Sequence, residues 1–158
     1  IIKDLFCSNS IILNWNDEKK FTIDEYQIII KAIPAYHASN FIMQVIIGKV
    51  NGYQISIVGP SETKVLYFTS DTIFYPKLIN YISRNIDAVF ANLGAVKSKS
   101  FGGPFTMNLK MLSQLNDLLH PKNIYPIHIE DYSHYNTTNK EVEAANYRVL
   151  SIGETIDI

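Results

Sequence analysis

Short runs of β-branched and aromatic residues, separated by turn signals or by stretches of helical periodicity, restrict this chain to a layered α/β fold. Gln27 to Pro34 holds consecutive isoleucines, whose stiff side chains suit a pleated strand covered on both faces. From Gly52 to Val58, Tyr53, Ile55 and Ile57 alternate with Gln54 and Ser56, the period of a strand with one wet face. Val65 to Phe68, Ala88 to Ala91 and Ile124 to Ile127 read as further strands, and Val149 to Ile152 with Thr155 to Ile158, split by Gly153, as a closing hairpin. Pro76 suits the first turn of a helix, and Leu78, Ile79 and Ile82 extend that helix to about Arg84. From Thr106 onward, Met111, Leu112, Leu115, Leu118 and Leu119 form the apolar stripe of an amphipathic helix that stops at His120-Pro121. Thr138 and Glu141 have capping-box spacing, which predicts a last helix to about Tyr147.

The chain has 158 residues, 47% of them hydrophobic, enough for one sizeable core and too apolar for disorder. A net charge of -1 creates no overall field that would recommend nucleic acid as a partner. The single cysteine, Cys7, has no partner for a disulfide, which fits a reducing, cytoplasmic setting. Apolar runs such as Val45 to Ile47 fall far short of the roughly 20 residues that span a bilayer, so no membrane helix is expected. The start, Ile1-Ile2-Lys3-Asp4, has neither an initiating methionine nor the pattern of a signal peptide, and reads as the middle of a longer protein.

Three predicted strands end in a side chain able to bind a metal: His37, Asp71 and His128. Loops at one edge of a sheet can gather such residues however far apart they are in sequence. Imidazole nitrogen and carboxylate oxygen suit zinc, manganese or iron, whereas calcium would need many more oxygens. Each residue also has a structural reading. Asp71 could cap a turn before Pro76, and His128 could be a hydrogen-bonded imidazole with no metal.

Specific strings carry the argument further. Ile33-Pro34-Ala35-Tyr36-His37, Tyr67-Phe68-Thr69-Ser70-Asp71-Thr72, Asn92-Leu93-Gly94-Ala95, Gly103-Pro104-Phe105-Thr106-Met107 and Pro126-Ile127-His128-Ile129-Glu130-Asp131-Tyr132-Ser133-His134 occur in that order. In order and content they resemble the later segments of metallo-β-lactamase-fold hydrolases, in particular the branch containing ascorbate-phosphate lactonase. The resemblance runs from about Ile28 to Ile158 and implies an αββα sandwich, two sheets packed face to face with helices outside. On this reading residues 1–158 are the carboxyl-terminal portion of one such domain.

The resemblance further implies two divalent metal ions, zinc first, with manganese or iron as alternatives. His37 would bind one ion, Asp71 would bridge the two, and His128 would bind the second. His134, six residues beyond His128, would act as a catalytic proton donor, or it is a solvent-facing loop residue. The family's glycine before the aspartate is replaced by Ser70, and its H-x-H-x-D-H motif does not occur. The expected function is therefore hydrolysis of a small ester, lactone or phosphorylated metabolite by the complete protein, with the chain as given inactive. An RNA-processing nuclease of the same superfamily is one alternative. A non-catalytic half-domain is another, its open sheet covered by a companion chain or a second copy. Glu130 could orient His128 or be solvated, and His120 reads as a helix cap. Tyr36, Phe74, Tyr75 and Tyr132 could wall a pocket or belong to the core.

Overall fold

A computed structural model describes residues 10–98 and 102–158; Cys7, the amino-terminal start and the middle of the loop before Gly102 lie outside them. Six strands form one mixed sheet in sequence order: β1 (Glu18–Ile23), β2 (Tyr26–Ala35), β3 (Val50–Val58), β4 (Thr63–Phe68), β5 (Ala88–Asn92) and β6 (Asn123–Ile127). The first four pair antiparallel, and β4, β5 and β6 run parallel. Parallel neighbours need crossover connections, here a 3-10 turn (Pro76–Asn80) between β4 and β5 and a helix between β5 and β6. The helices are α1 (Phe41–Ile47), α2 (Leu109–Leu119) and α3 (Asn139–Ala144).

One consequence of this order positions everything that follows. Two antiparallel steps return β4 to the direction of β2, and β5 and β6 keep it, so β2, β4, β5 and β6 all end at the same edge of the sheet. His37, Asp71, Asn92 and His128 are the residues at or just past those four ends.

The two faces of the sheet differ. Ile33, Tyr67, Val89 and Ala91 are fully buried against Leu78, Leu112, Leu115 and Val142 of the helical layer. The other face carries an aromatic row in register, Tyr53, Phe68, Phe90 and Tyr125, crossing β3 to β6. Phe68 and Phe90 stack with ring centroids 4.6 Å apart, and Phe90 and Tyr125 at 5.5 Å. Ile30, Ile55 and Leu66 lie in the next row and are only half-buried, while Tyr53 is 37% exposed. The expected sandwich of two sheets is thus represented, among the described residues, by one sheet with helices on one face.

Several elements differ from expectation. The segment from Pro76 makes only a five-residue 3-10 turn, held by Leu78 N–H to Tyr75 carbonyl and Tyr81 N–H to Leu78 carbonyl bonds. The predicted carboxyl-terminal hairpin does not form. Instead Val149 packs against the core, and the Glu154 carboxylate accepts from the Ser151 N–H at 2.8 Å and pairs with Arg148, closing a turn. β1 was not anticipated, because its residues are all exposed and lack a clear apolar period. α2 begins at Leu109 rather than Thr106; Asn108 caps it, and His120 ends it in a left-handed conformation. The Thr138–Glu141 capping box is present, but its helix stops at Ala144.

Candidate metal centre

His37 is held in place by the strands on both sides of its loop. The Tyr36 N–H donates to Thr72 Oγ1 at 2.9 Å and the Ile73 N–H to the Tyr36 carbonyl at 2.9 Å, joining the exits of β2 and β4. The Ser39 N–H donates to the Pro104 carbonyl at 3.0 Å, and His37 Nδ1 lies 3.0 Å from the Phe105 carbonyl. A carbonyl only accepts, so Nδ1 carries the proton and Nε2 keeps its lone pair for a ligand. Gly103 permits this docking: it has φ +69°, and a Cβ there would fall 1.7 Å from Ser39 Oγ.

Asp71 follows Ser70, whose φ is +56°. That left-handed position is where glycine would sit without strain, so the serine costs about 1–2 kcal/mol of local conformational energy. Asn92 Nδ2 donates to Asp71 Oδ1 at 3.0 Å, and the Asn92 N–H donates in turn to the buried Thr69 hydroxyl at 3.0 Å. The last residue of β5 thus aims the carboxylate that follows β4.

His128 also has a left-handed backbone, φ +61°. Its Nδ1 lies 2.8 Å from Asp131 Oδ2, its Nε2 accepts from the Tyr135 hydroxyl, and the same Nε2 is 3.8 Å from Asp71 Oδ1. Asp131 rather than Glu130 therefore holds the ring. Burial, with the negative charges of Asp71 and Asp131, raises the Tyr135 phenol above its ordinary value, so it stays protonated and donates.

His37, Asp71, His134 and Tyr135 line one cavity of about 250 Å³. His134 stacks on Tyr132 and meets Tyr135 edge-on, with centroids 5.6 and 4.9 Å apart. His128 stands behind Tyr135. Of the other aromatics, Phe74 and Tyr75 pack against the core rather than a pocket, and the Tyr75 hydroxyl donates to the Pro34 carbonyl.

The donors fit a metal in kind. Both imidazoles are pinned through Nδ1 by an acceptor, the arrangement that orients metal-ligating histidines, although His128 Nε2 is here engaged by the Tyr135 hydroxyl. Asp71 has one oxygen held by Asn92 and, among the described residues, no hydrogen-bond donor on the other. Two nitrogens and a carboxylate match zinc chemistry. Among the described residues, however, no three His, Cys, Asp or Glu side chains gather closely enough to hold an ion. Sequence reasoning missed Asn92, Asp131 and Tyr135, the residues that orient the candidate ligands. Asn92 and Asp131 lie within the strings that carried the resemblance, with no role read for them there, and Tyr135 lies one residue past the last string.

The family model described as a beta-lactamase superfamily domain matches residues 8–129, a stretch that includes His37, Asp71 and His128 and ends before His134. No curated protein matches the sequence. Among solved structures, the isothiocyanate hydrolase from Delia radicum gut bacteria is 20% identical with a TM-score of 0.74, over 93% of this chain and 59% of that one. A possible metal-dependent hydrolase from Veillonella parvula is 15% identical with a TM-score of 0.67, over 89% and 57%. The zinc-bound PqqB from Methylobacterium extorquens is 15% identical with a TM-score of 0.54, over 92% and 55%. At such identities the likeness shows the fold, which is of the metallo-β-lactamase type. The chain spans less than three-fifths of the length of each of these proteins.

Proposed function

The chain belongs to the β-lactamase superfamily, and from that premise we propose that it carries the ligand-bearing edge of a metal-dependent hydrolase of a small ester, lactone or phosphorylated metabolite. The observation that supports this reading most is the shared cavity of His37, Asp71 and His134, with both candidate imidazole ligands held through Nδ1. His37 Nε2 would hold one divalent ion, His128 Nε2 a second, and Asp71 would lie between them, zinc being the preferred metal. Bound there, such ions polarise a carbonyl or phosphoryl oxygen and lower the pKa of a coordinated water. Tyr135 would leave His128 Nε2 for that site to fill, and its hydroxyl would remain at the cavity as a hydrogen-bond donor. His134, which lines the same cavity, would deliver a proton to the leaving group.

The chain has four histidines and no H-x-H string, so the remaining ligands would come from a companion segment. The half-exposed aromatic row supports such a companion, because an apolar face of this extent is normally covered by another sheet or a second copy. No helix among the described residues is long and apolar enough to cross a membrane, and we place the protein in the cytoplasm on its lone cysteine.

Calorimetric titration with zinc tests the site. The chain should bind weakly, binding should be lost in Asp71→Ala and His128→Ala, and no lactone or phosphodiester turnover should appear. Unchanged zinc binding in both variants would remove the proposal.

A further inference from the structure

α1 is the least self-sufficient element of the fold. It has seven residues, and Ile42, Val45, Ile46 and Ile47 among them are β-branched, so they lose side-chain freedom in a helix. A helix this short does not persist in water on propensity alone and depends on packing an apolar face. Yet none of its residues is buried, and among the described residues none packs against the core. Its ties are polar and local: Asn40 Oδ1 accepts from the Ile42 N–H at 2.8 Å, and Gln44 Nε2 donates to the Ala38 carbonyl at 2.8 Å.

Phe41, Ile42, Val45 and Ile46 are 76%, 66%, 66% and 69% exposed, and spacings of one and four residues put them on one side of the helix. Together they leave on the order of 500 Å² uncovered, as large as the largest patch on an ordinary monomer, and two copies joined through it would bury about 1,000 Å², where specific interfaces begin. Chemistry selects the partner. Ala38 to Gly48 carries no charged residue, and Gln44 is spent on the Ala38 carbonyl, so the helix offers no charge to an acidic or basic partner and no cation to lipid headgroups. An uncharged face meets its own copy without repulsion, and a two-fold pair uses the same patch twice. A companion lying on the aromatic row covers a different surface, since α1 lies beyond the end of β2, in the connection to β3.

We propose that α1 is the contact through which two copies of this chain associate about a two-fold axis. The contact begins four residues after His37, at the edge of the sheet that carries the candidate ligands. It depends neither on metal nor on the hydrolase reading.

The test is sedimentation equilibrium of the chain without metal. Wild type should show a monomer–dimer equilibrium, and the triple variant Ile42→Gln, Val45→Gln, Ile46→Gln should weaken it by at least about tenfold. Glutamine suits a helix better than the residues it replaces, so the amide spectrum outside α1 should be retained. Tyr53→Ser, on the aromatic row, should leave the dimer as it is. Cross-linking reads the same contact with the helix face nearly intact: in a Cys7→Ser background, Val45→Cys should give a disulfide-linked dimer with oxidised glutathione, and the exposed Ile152→Cys should not. If the triple variant fails to fold, the cross-link decides. A chain that stays monomeric, a dimer that survives the triple substitution, a dimer lost with Tyr53→Ser instead, or no cross-link at Val45→Cys would overturn the proposal. So would monomer that sediments with phosphatidylglycerol vesicles and ceases to in the triple variant, which would assign the patch to a lipid surface.

Discussion

Asp71 and Asp87 stand at opposite edges of the same sheet, and almost everything about their surroundings differs. Asp87 precedes β5 and is 4% exposed. Its Oδ2 accepts from the Val65 N–H at 2.7 Å and its Oδ1 from Lys122 Nζ at 2.7 Å, so both oxygens are used in tying the starts of β4, β5 and β6 together. Asp71, past the end of β4, has a side chain 33% exposed, has one oxygen held by Asn92, and lines a cavity. A carboxylate whose capacity is exhausted by its own fold is structural; one held from behind with a lone pair to spare is available for chemistry. The opposite edges of a parallel sheet segregate these roles, since ligands collect beyond the carboxyl ends of strands.

The sharpest way to break this comparison is Asp87→Ala. It should destabilise the chain by about 1–3 kcal/mol, because it leaves the partly buried Val65 N–H without its acceptor while Lys122 is simply solvated. Burial alone would raise the Asp87 pKa, but the Lys122 and Val65 hydrogen bonds and the charges of Lys122 and Lys64 outweigh it and hold the carboxyl below its ordinary value. Its contribution should therefore be complete above the unfolded aspartate pKa of about 3.9 and disappear as the pH falls through the lower folded value. Urea unfolding of both proteins from neutral pH to acid should show the gap closing only in acid; a constant gap would mean that the charge is not the cause.

On the site edge, Gly103→Ala should cost about 1–2 kcal/mol, since the new methyl meets Ser39 at a left-handed position. It should also displace His37, read as a changed imidazole resonance; an unchanged spectrum would show that Ser39 yields without moving the histidine. Ser70→Gly should move stability the other way, by about 0.5–1 kcal/mol, by relieving the left-handed backbone before Asp71. A loss of stability instead would mean that the glycine's added unfolded-state freedom exceeds the relieved strain. The smallest stability change is expected from Asp71→Asn, within about 0.5 kcal/mol, because its carboxylate supports no strand. The same substitution should abolish zinc binding, and a large destabilisation would make Asp71 a second Asp87.

Local chemistry already announced much of this. β2, β3, β4, β5 and β6 were legible because an apolar, β-branched run needs only its own residues to declare a strand, and the Thr138–Glu141 box because a cap is a contact between near neighbours. The positions of His37, Asp71 and His128 just past strand ends were legible for the same reason. Where the local signal was weak it misled. The Pro76 segment has helical spacing and buries Leu78 and Ile82 in the core, yet it closes only a 3-10 turn, and Val149 joined the helical core instead of pairing in a hairpin.

Amino-acid order by itself determined which segments become strands and which side chains stand at their ends, since both follow from interactions over a few residues. Only the tertiary structure decided that four of those ends share one edge, that Phe105, Asn92 and Asp131 orient His37, Asp71 and His128, and that Tyr135 covers the last of them. These partners are joined through strand pairing and crossover direction, which bring distant segments together with no trace in the spacing of any one of them.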